Sequence, residues 1–259
     1  MIISLYILII ISLIILKQIY SEQKQYECEL TKYGTAYGGW KLPIDINLDS
    51  NSIVLSAGVG EDISFDILIQ EKYNCNIILI DPTDRSLIHY KEIKNYYNNN
   101  HIGTFSAHIN KEYEEILIKS SPNFNNIIYI NKGLWYKNDK LKFYKPKNND
   151  YVSHTLIENM YSNDYNFVEV DSIKNIMIEY GYNHINLLKL DIEGSENIVL
   201  EQMILDEIYP EYICVEFDLI KQNIDYNDTS KHIIQILHEH GYIMIDNDNE
   251  NCVFKKIIK

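Results

Sequence analysis

Arginine is almost missing. Arg85 is the single one among 259 residues, and 23 Lys and Arg face 37 Asp and Glu, a formal net charge of −14. That deficit excludes a general nucleic-acid binder, whose phosphate contacts need clustered cations. Cysteine is scarce as well: Cys28, Cys75, Cys214 and Cys252 are widely spaced and form no CxxC pair. Neither a zinc site nor a required disulfide is expected from such spacing. The last three lie at or inside apolar runs of strand length, where a thiol serves as a small hydrophobe. With 5 prolines and 10 glycines, collagen-like and low-complexity chains are excluded too. What is present, 46% hydrophobic and 23% charged residues, is the composition of a folded core. The length suits one generous domain.

One long hydrophobic run does occur. Residues 1–16 carry no charged side chain, and Lys17 and a polar stretch follow. A run of this kind is at the short edge of what spans a hydrocarbon core of roughly 30 Å. Residues 1–20 are therefore expected to be an uncleaved single-pass membrane anchor. A signal peptide is the rival and would make the chain secreted or lumenal, but there is no basic region before the run and no small-x-small cleavage site. Residues 21–50 are expected to be a tether and N-terminal extension, and residues 51–259 the globular domain.

Within that domain, apolar runs of strand length alternate with segments of helical spacing. SIVLSAG, NIILIDPT, NNIIYINKGLW, INLLKLDIEG and EYICVEFD read as strands, and LKFYK as a short extended piece. DISFDILIQEKY, residues 86–97 and 110–119, DSIKNIMIEYGY, SENIVLEQMI and KHIIQILHEHGY read as helices. The chain closes on two strands around DNDNEN, which a short turn obliges to pair antiparallel. Residues 145–166 are polar and irregular, and are expected to form a surface loop able to act as a lid. The alternation predicts an α/β fold, a mainly parallel sheet covered on both faces.

Ligands of such sheets bind beyond the carboxyl ends of the strands. Three signals fall there. Gly58 and Gly60 form the turn after the first strand, where the backbone can approach a ligand closely. Asp81 follows the second strand, where a carboxylate can accept both hydroxyls of a ribose; the plain alternative is a turn-former before Pro82. The place of a third glycine is held by Ile63, which disfavours a dinucleotide such as NAD. Glu61 and Asp62 at the helix start would repel phosphate yet tolerate a cationic, phosphate-free ligand. S-adenosylmethionine, with a sulfonium and an amine, is such a ligand. The third signal is LLKLDIEGSE, which puts Asp191, Glu193 and Glu196 at a strand end. There they can act as a general base, hold an amine, or ligate a cation through oxygen, or Glu196 can merely cap the next helix. His154 in YVSHT is an alternative base, because imidazole titrates near neutral pH.

VLSAGVGEDISFD, IILIDPT, NKGLWYKNDKLKFY, VEVDSIKNIMIEYGYNHINLLKLDIEGSE and YICVEFD, in this order over roughly residues 52–256, resemble the FkbM family of S-adenosylmethionine-dependent methyltransferases. The VGEDISFD variant looks like the branch that includes animal methyltransferase-like proteins. The resemblance implies a class I Rossmann-like methyltransferase fold, seven strands with the last one inserted antiparallel. It implies that Gly58 and Gly60 lie under the methionine part of the cofactor and that Asp81 binds its ribose. Asn131 and Gly133 would flank the adenine, and Asp191 with Glu193 would face the transferred methyl and the acceptor. The chain departs from many members at Ser56, where they carry an acid at the end of the first strand; Glu61 or Asp62 is the candidate replacement.

The expected function is O-methylation of a small polar acceptor, a saccharide or glycan hydroxyl by family analogy. No resident metal is expected. The rival is a membrane-tethered, non-catalytic binding module of the same fold. Oligomeric state is not legible in the residues.

Overall fold

The computed structural model describes residues 28–148, 151–158, 160, 162–218, 227–248 and 250–257. The segment expected to be an anchor, residues 1–20, lies outside them. Among the described residues no helix is long and apolar enough to cross a membrane.

The strand-length apolar runs assemble one seven-stranded sheet. Its members are β3 (Ile53–Ala57), β4 (Asn76–Ile80), β5 (Ile127–Ile130), β9 (Leu187–Leu190), β10 (Tyr212–Glu216), β11 (Tyr242–Asp248) and β12 (Asn251–Lys256), in the spatial order β11-β12-β10-β9-β3-β4-β5. β3, β4, β5, β9 and β10 pair in parallel, and β12 enters antiparallel between β10 and β11. This is the class I methyltransferase arrangement that the resemblance implied. From β3 the chain steps outward to β4 and β5, then returns to lay β9 against the other side of β3. The strand order thus reverses between β3 and β9, which is where a parallel sheet opens a crevice.

Both faces of the sheet are covered. Alternation along β3 sends Val54 into one apolar cluster and Leu55 and Ala57 into the other. The first cluster holds residues of α1 (Ser64–Tyr73), α2 (Asp84–Asn98) and α3 (Lys111–Lys119); the second holds α4 (Ile173–Tyr180), α5 (Glu196–Leu205) and α6 (Asn227–Glu239). Local signals set the helix limits. The Thr83 side chain accepts the Ser86 amide to begin α2, Ser172 caps α4 in the same way, and Gly181 closes α4 at φ +73°.

Two pieces depart from the expectation. Within the expected tether, the described residues 28–50 are folded onto the domain: β1 (Leu30–Tyr33) and β2 (Trp40–Pro43) form an antiparallel hairpin, and Tyr33, Trp40, Leu42, Ile46 and Leu48 enter the first core cluster. The expected lid is shortened at its far end, because β8 (Tyr165–Asp171) begins at Tyr165. With β6 (Gly133–Leu134) and β7 (Asp139–Tyr144) it forms a separate three-stranded sheet in the order β6-β8-β7.

Candidate active site

The glycine turn is the most constrained piece of backbone in the crevice. After β3 the chain passes through Gly58 at φ +75° and Gly60 at φ +57°. A Cβ on Gly58 would stand 1.5 Å from the carbonyl oxygen of Asp191, so only glycine fits. At Gly60 a Cβ would meet nothing closer than Val152 Cγ2 at 3.7 Å, which leaves that backbone open to the cavity. Asp81 clamps the turn from the end of β4. Its Oδ2 accepts the amides of Val59 at 2.9 Å and Gly60 at 3.0 Å, and its Oδ1 accepts the Thr83 amide and hydroxyl. The turn-forming role is therefore the one the structure displays for Asp81: its two oxygens already serve four donors, about as many as a carboxylate has lone-pair sites.

A buried lysine holds the turn from below. Lys189, inside the apolar run of β9, donates to the carbonyl of Gly58 at 2.5 Å and lies 3.8 Å from Asp191 Oδ2. Ser56 points to this lower layer, not into the cavity, because it is the second-to-last residue of β3 and the pleat turns it toward α1. There it sits beside Asp66, which is fully buried. Burial pushes the Asp66 carboxyl up to about 6, against the charge of Lys189, which lowers it. The acid next to the end of β3 thus comes from the first turn of α1.

The two other carboxylates near the glycine turn are engaged. Glu61 takes both Nε and Nη2 of Arg85, at 3.0 and 2.6 Å. Asp62 accepts the Thr35 hydroxyl at 2.5 Å and the Ser64 amide at 2.8 Å, which ties the β1–β2 hairpin to the start of α1.

The turn after β9 is built by Glu196. Its Oε1 reaches back to the amides of Ile192, at 2.9 Å, and Gly194, at 3.2 Å, so the capping role is the one it fills. Glu193 is held at φ +55°, a left-handed conformation that costs a non-glycine residue about 1 kcal/mol or more. The Thr155 hydroxyl donates to the Glu193 carbonyl at 2.5 Å, fastening the lid segment over the turn. His154 stacks on Phe143 with ring centroids 5.3 Å apart, and its Nδ1 lies 3.0 Å from the carbonyl of Val152. A carbonyl only accepts, so Nδ1 is the donor in that contact and Nε2 is the ring nitrogen left to face other groups.

These pieces enclose a cavity of about 360 Å³, within the range of roughly 300–1,000 Å³ usual for small-molecule sites. Its walls include the apolar Ile80, Pro82, Leu134, Phe143 and Leu156 with Gly133, and the acidic Glu61, Asp62, Asp81, Asp191, Glu193, Glu216 and Asp218. Lys189 and His154 are the basic residues among its described walls. Apolar walls together with several carboxylates suit S-adenosylmethionine, which carries a flat adenine as well as a sulfonium and an amine.

Of the residues singled out in the sequence, Gly58, Gly60, Glu61, Asp62, Asp81, Gly133, His154, Asp191 and Glu193 line this cavity, whereas Ser56 and Asn131 do not. Asn131 is exposed just past β5, the edge strand, where its side chain meets solvent. Sequence reasoning missed Tyr37 and Gly38 on the hairpin, Lys189, Glu216 at the end of β10 and Asp218 just past it. A lysine within LLKL and the acids of VEFD were the available signals; the hairpin offered only the glycine-rich YGTAYGGW.

The methyltransferase FkbM domain model matches residues 45–244. No curated protein matches the chain. Among solved structures the chain is similar to an rRNA methylase from Streptococcus thermophilus, at 10% identity over 82% of this chain and 90% of that one, with a TM-score of 0.41. It is also similar to the fibrillarin pre-rRNA processing protein of Methanococcus jannaschii, at 12% identity over 88% and 81% of the two chains, with a TM-score of 0.38. Likeness at this level bears on neither substrate nor activity.

Proposed function

The chain belongs to the FkbM methyltransferase family, with S-adenosylmethionine as its cofactor, and on that premise we propose that it methylates a hydroxyl of a small polar acceptor, a saccharide being the favoured class. The observation that carries this reading is the pairing of Asp191 and Glu193 with the glycine turn across the β3/β9 crevice.

The cofactor supplies an electrophilic methyl: the carbon–sulfur bond breaks as the carbon–oxygen bond forms, leaving a neutral thioether. In this reading Gly58, Gly60 and Asp81 hold its methionine and ribose parts, and Leu134, Phe143 and Leu156 enclose its adenine. Asp191 or Glu193 takes the acceptor hydroxyl proton, with His154 Nε2 as the alternative base. Positioning does the rest, since an in-line displacement asks mainly for alignment of the acceptor oxygen. Glu196, Thr155 and Lys189 serve that alignment by fixing the backbone on both sides of the crevice.

The cavity mouth supports a sugar. A second hollow of about 210 Å³ adjoins the first, sharing Tyr37, Glu61, Asp62, Val152 and Ser153 and adding Tyr151, His108 and Asn110. Tyr37 and Tyr151 are largely exposed there, and aromatic faces beside carboxylates offer a sugar ring both its apolar side and its hydroxyl partners. We also propose that residues 1–20 tether the domain to a membrane, which extraction by detergent but not by high salt would support.

The test is turnover. The chain incubated with S-adenosylmethionine and a panel of sugars should yield S-adenosylhomocysteine and a methyl ether, and Asp191→Asn or Glu193→Gln should cut the rate at least about a hundredfold. Methyl groups found on nitrogen alone would overturn the hydroxyl assignment.

A further inference from the structure

Asp218 lines the cavity just past the end of β10, with only 4% of its surface exposed. Its Oδ2 is buried and has no hydrogen-bond partner among the described residues. An unsatisfied buried carboxylate is a costly arrangement unless a ligand completes it. The carboxyl groups that act on it most strongly are Glu196 from α5, Glu193 and Asp191 from the turn after β9, and Glu216 from β10. Burial and these like charges, in that order, raise its carboxyl far above the ordinary range.

The cofactor does not account for this group. Its glycine turn and Asp81 stand at β3 and β4, whereas β10 lies beyond β9 on the other side. Strands about 4.8 Å apart put β10 about 10 Å from β3 and about 15 Å from β4. Asp218 therefore belongs to the acceptor side of the crevice.

We propose that Asp218, framed by Glu216, Glu193 and Asp191, is a cation subsite that receives a protonated amine on the acceptor, which makes the acceptor an amino-alcohol or amino sugar. The subsite rests on the hydroxyl-methylation reading above and narrows its substrate class. A cation entering here supplies the missing partner of Oδ2 and offsets the neighbouring carboxylates of Glu193, Asp191 and Glu216. Its binding draws Asp218 into the charged form, so a proton leaves as the amine enters.

The experiment is calorimetry on the full chain in mild detergent, saturated with S-adenosylhomocysteine, with glucosamine and glucose as probes. Titration at pH 7 in two buffers of different ionisation enthalpy counts the protons released. Glucosamine should bind about tenfold or more tightly than glucose and release a proton. Asp218→Asn should remove both the preference and the release while S-adenosylhomocysteine still binds. Glu216→Gln, which leaves Asp218 in place, should weaken the preference only in part. Equal affinity for the two sugars, binding of neither, or a preference surviving in Asp218→Asn would overturn the subsite. Failure of S-adenosylhomocysteine itself to bind would instead overturn the methyltransferase reading on which it rests.

Discussion

Gly58 and Asp191 are in contact through their backbones: a Cβ on the first would fall 1.5 Å from the carbonyl oxygen of the second. The end of β9 is thus pressed onto the turn that follows β3, and the Lys189 ammonium on the Gly58 carbonyl fastens the two together. The crevice between the strands is set by packing before any ligand enters.

Gly58→Ala should therefore be far more damaging than Gly60→Ala. The first meets Asp191 backbone and a positive φ; the second meets only the positive φ, with Val152 Cγ2 at 3.7 Å. Expected losses are about 3 kcal/mol or more against about 1–2 kcal/mol. Urea midpoints of the two variants measure the difference, and equal midpoints would contradict the contact.

Lys189→Met should loosen the turn and leave Asp66 without its nearest compensating charge. A lost hydrogen bond from a charged donor costs about 2–3 kcal/mol. Adding Asp66→Asn should recover part of that loss, because a neutral amide no longer needs the lysine. A double-mutant cycle reads the coupling directly.

The pH dependence has an unusual sign. Asp66 is pushed up to about 6 and Glu196 to about 8, in both cases by burial first. Both folded values lie above those of the open chain, so between about pH 4 and pH 8 the folded state holds more protons than the unfolded one. That stability is complete below the unfolded values and is lost as pH rises toward the folded ones. The cofactor-free protein should melt at a higher temperature at pH 5.5 than at pH 8.5. Glu196→Gln should flatten the trend, and a melting point that rises with pH would contradict it.

Most of the sheet was legible because its strands are continuous apolar runs stopped by Gly58, Pro82 and the DIEG turn, and the helices between them keep helical spacing. The hairpin of residues 30–43 was not. Its strands are four residues each, and its buried Tyr33 and Trp40 flank a polar glycine loop that shows no period. β8 escaped because most of its side chains are exposed or half-exposed, so no alternation marks it. In the site, glycines and turn acids announce themselves by spacing, whereas Lys189 and Asp66 matter through burial, which a single sequence does not display. Ser56 and Asn131 sit at the right strand ends, yet the pleat of β3 turns the first toward α1 and the second lies exposed past the edge strand β5, so neither lines the cavity.

The crevice between β3 and β9 is the proposed S-adenosylmethionine site. Calorimetry on the full chain in mild detergent, with S-adenosylmethionine, S-adenosylhomocysteine and NAD, tests it most directly. Dissociation constants in the micromolar range are expected for the first two, none measurable for NAD, and at least about tenfold weaker binding in Asp81→Ala, which loses the clamp on the Val59 and Gly60 amides. Binding of NAD alone, or unchanged affinity in Asp81→Ala, would contradict it.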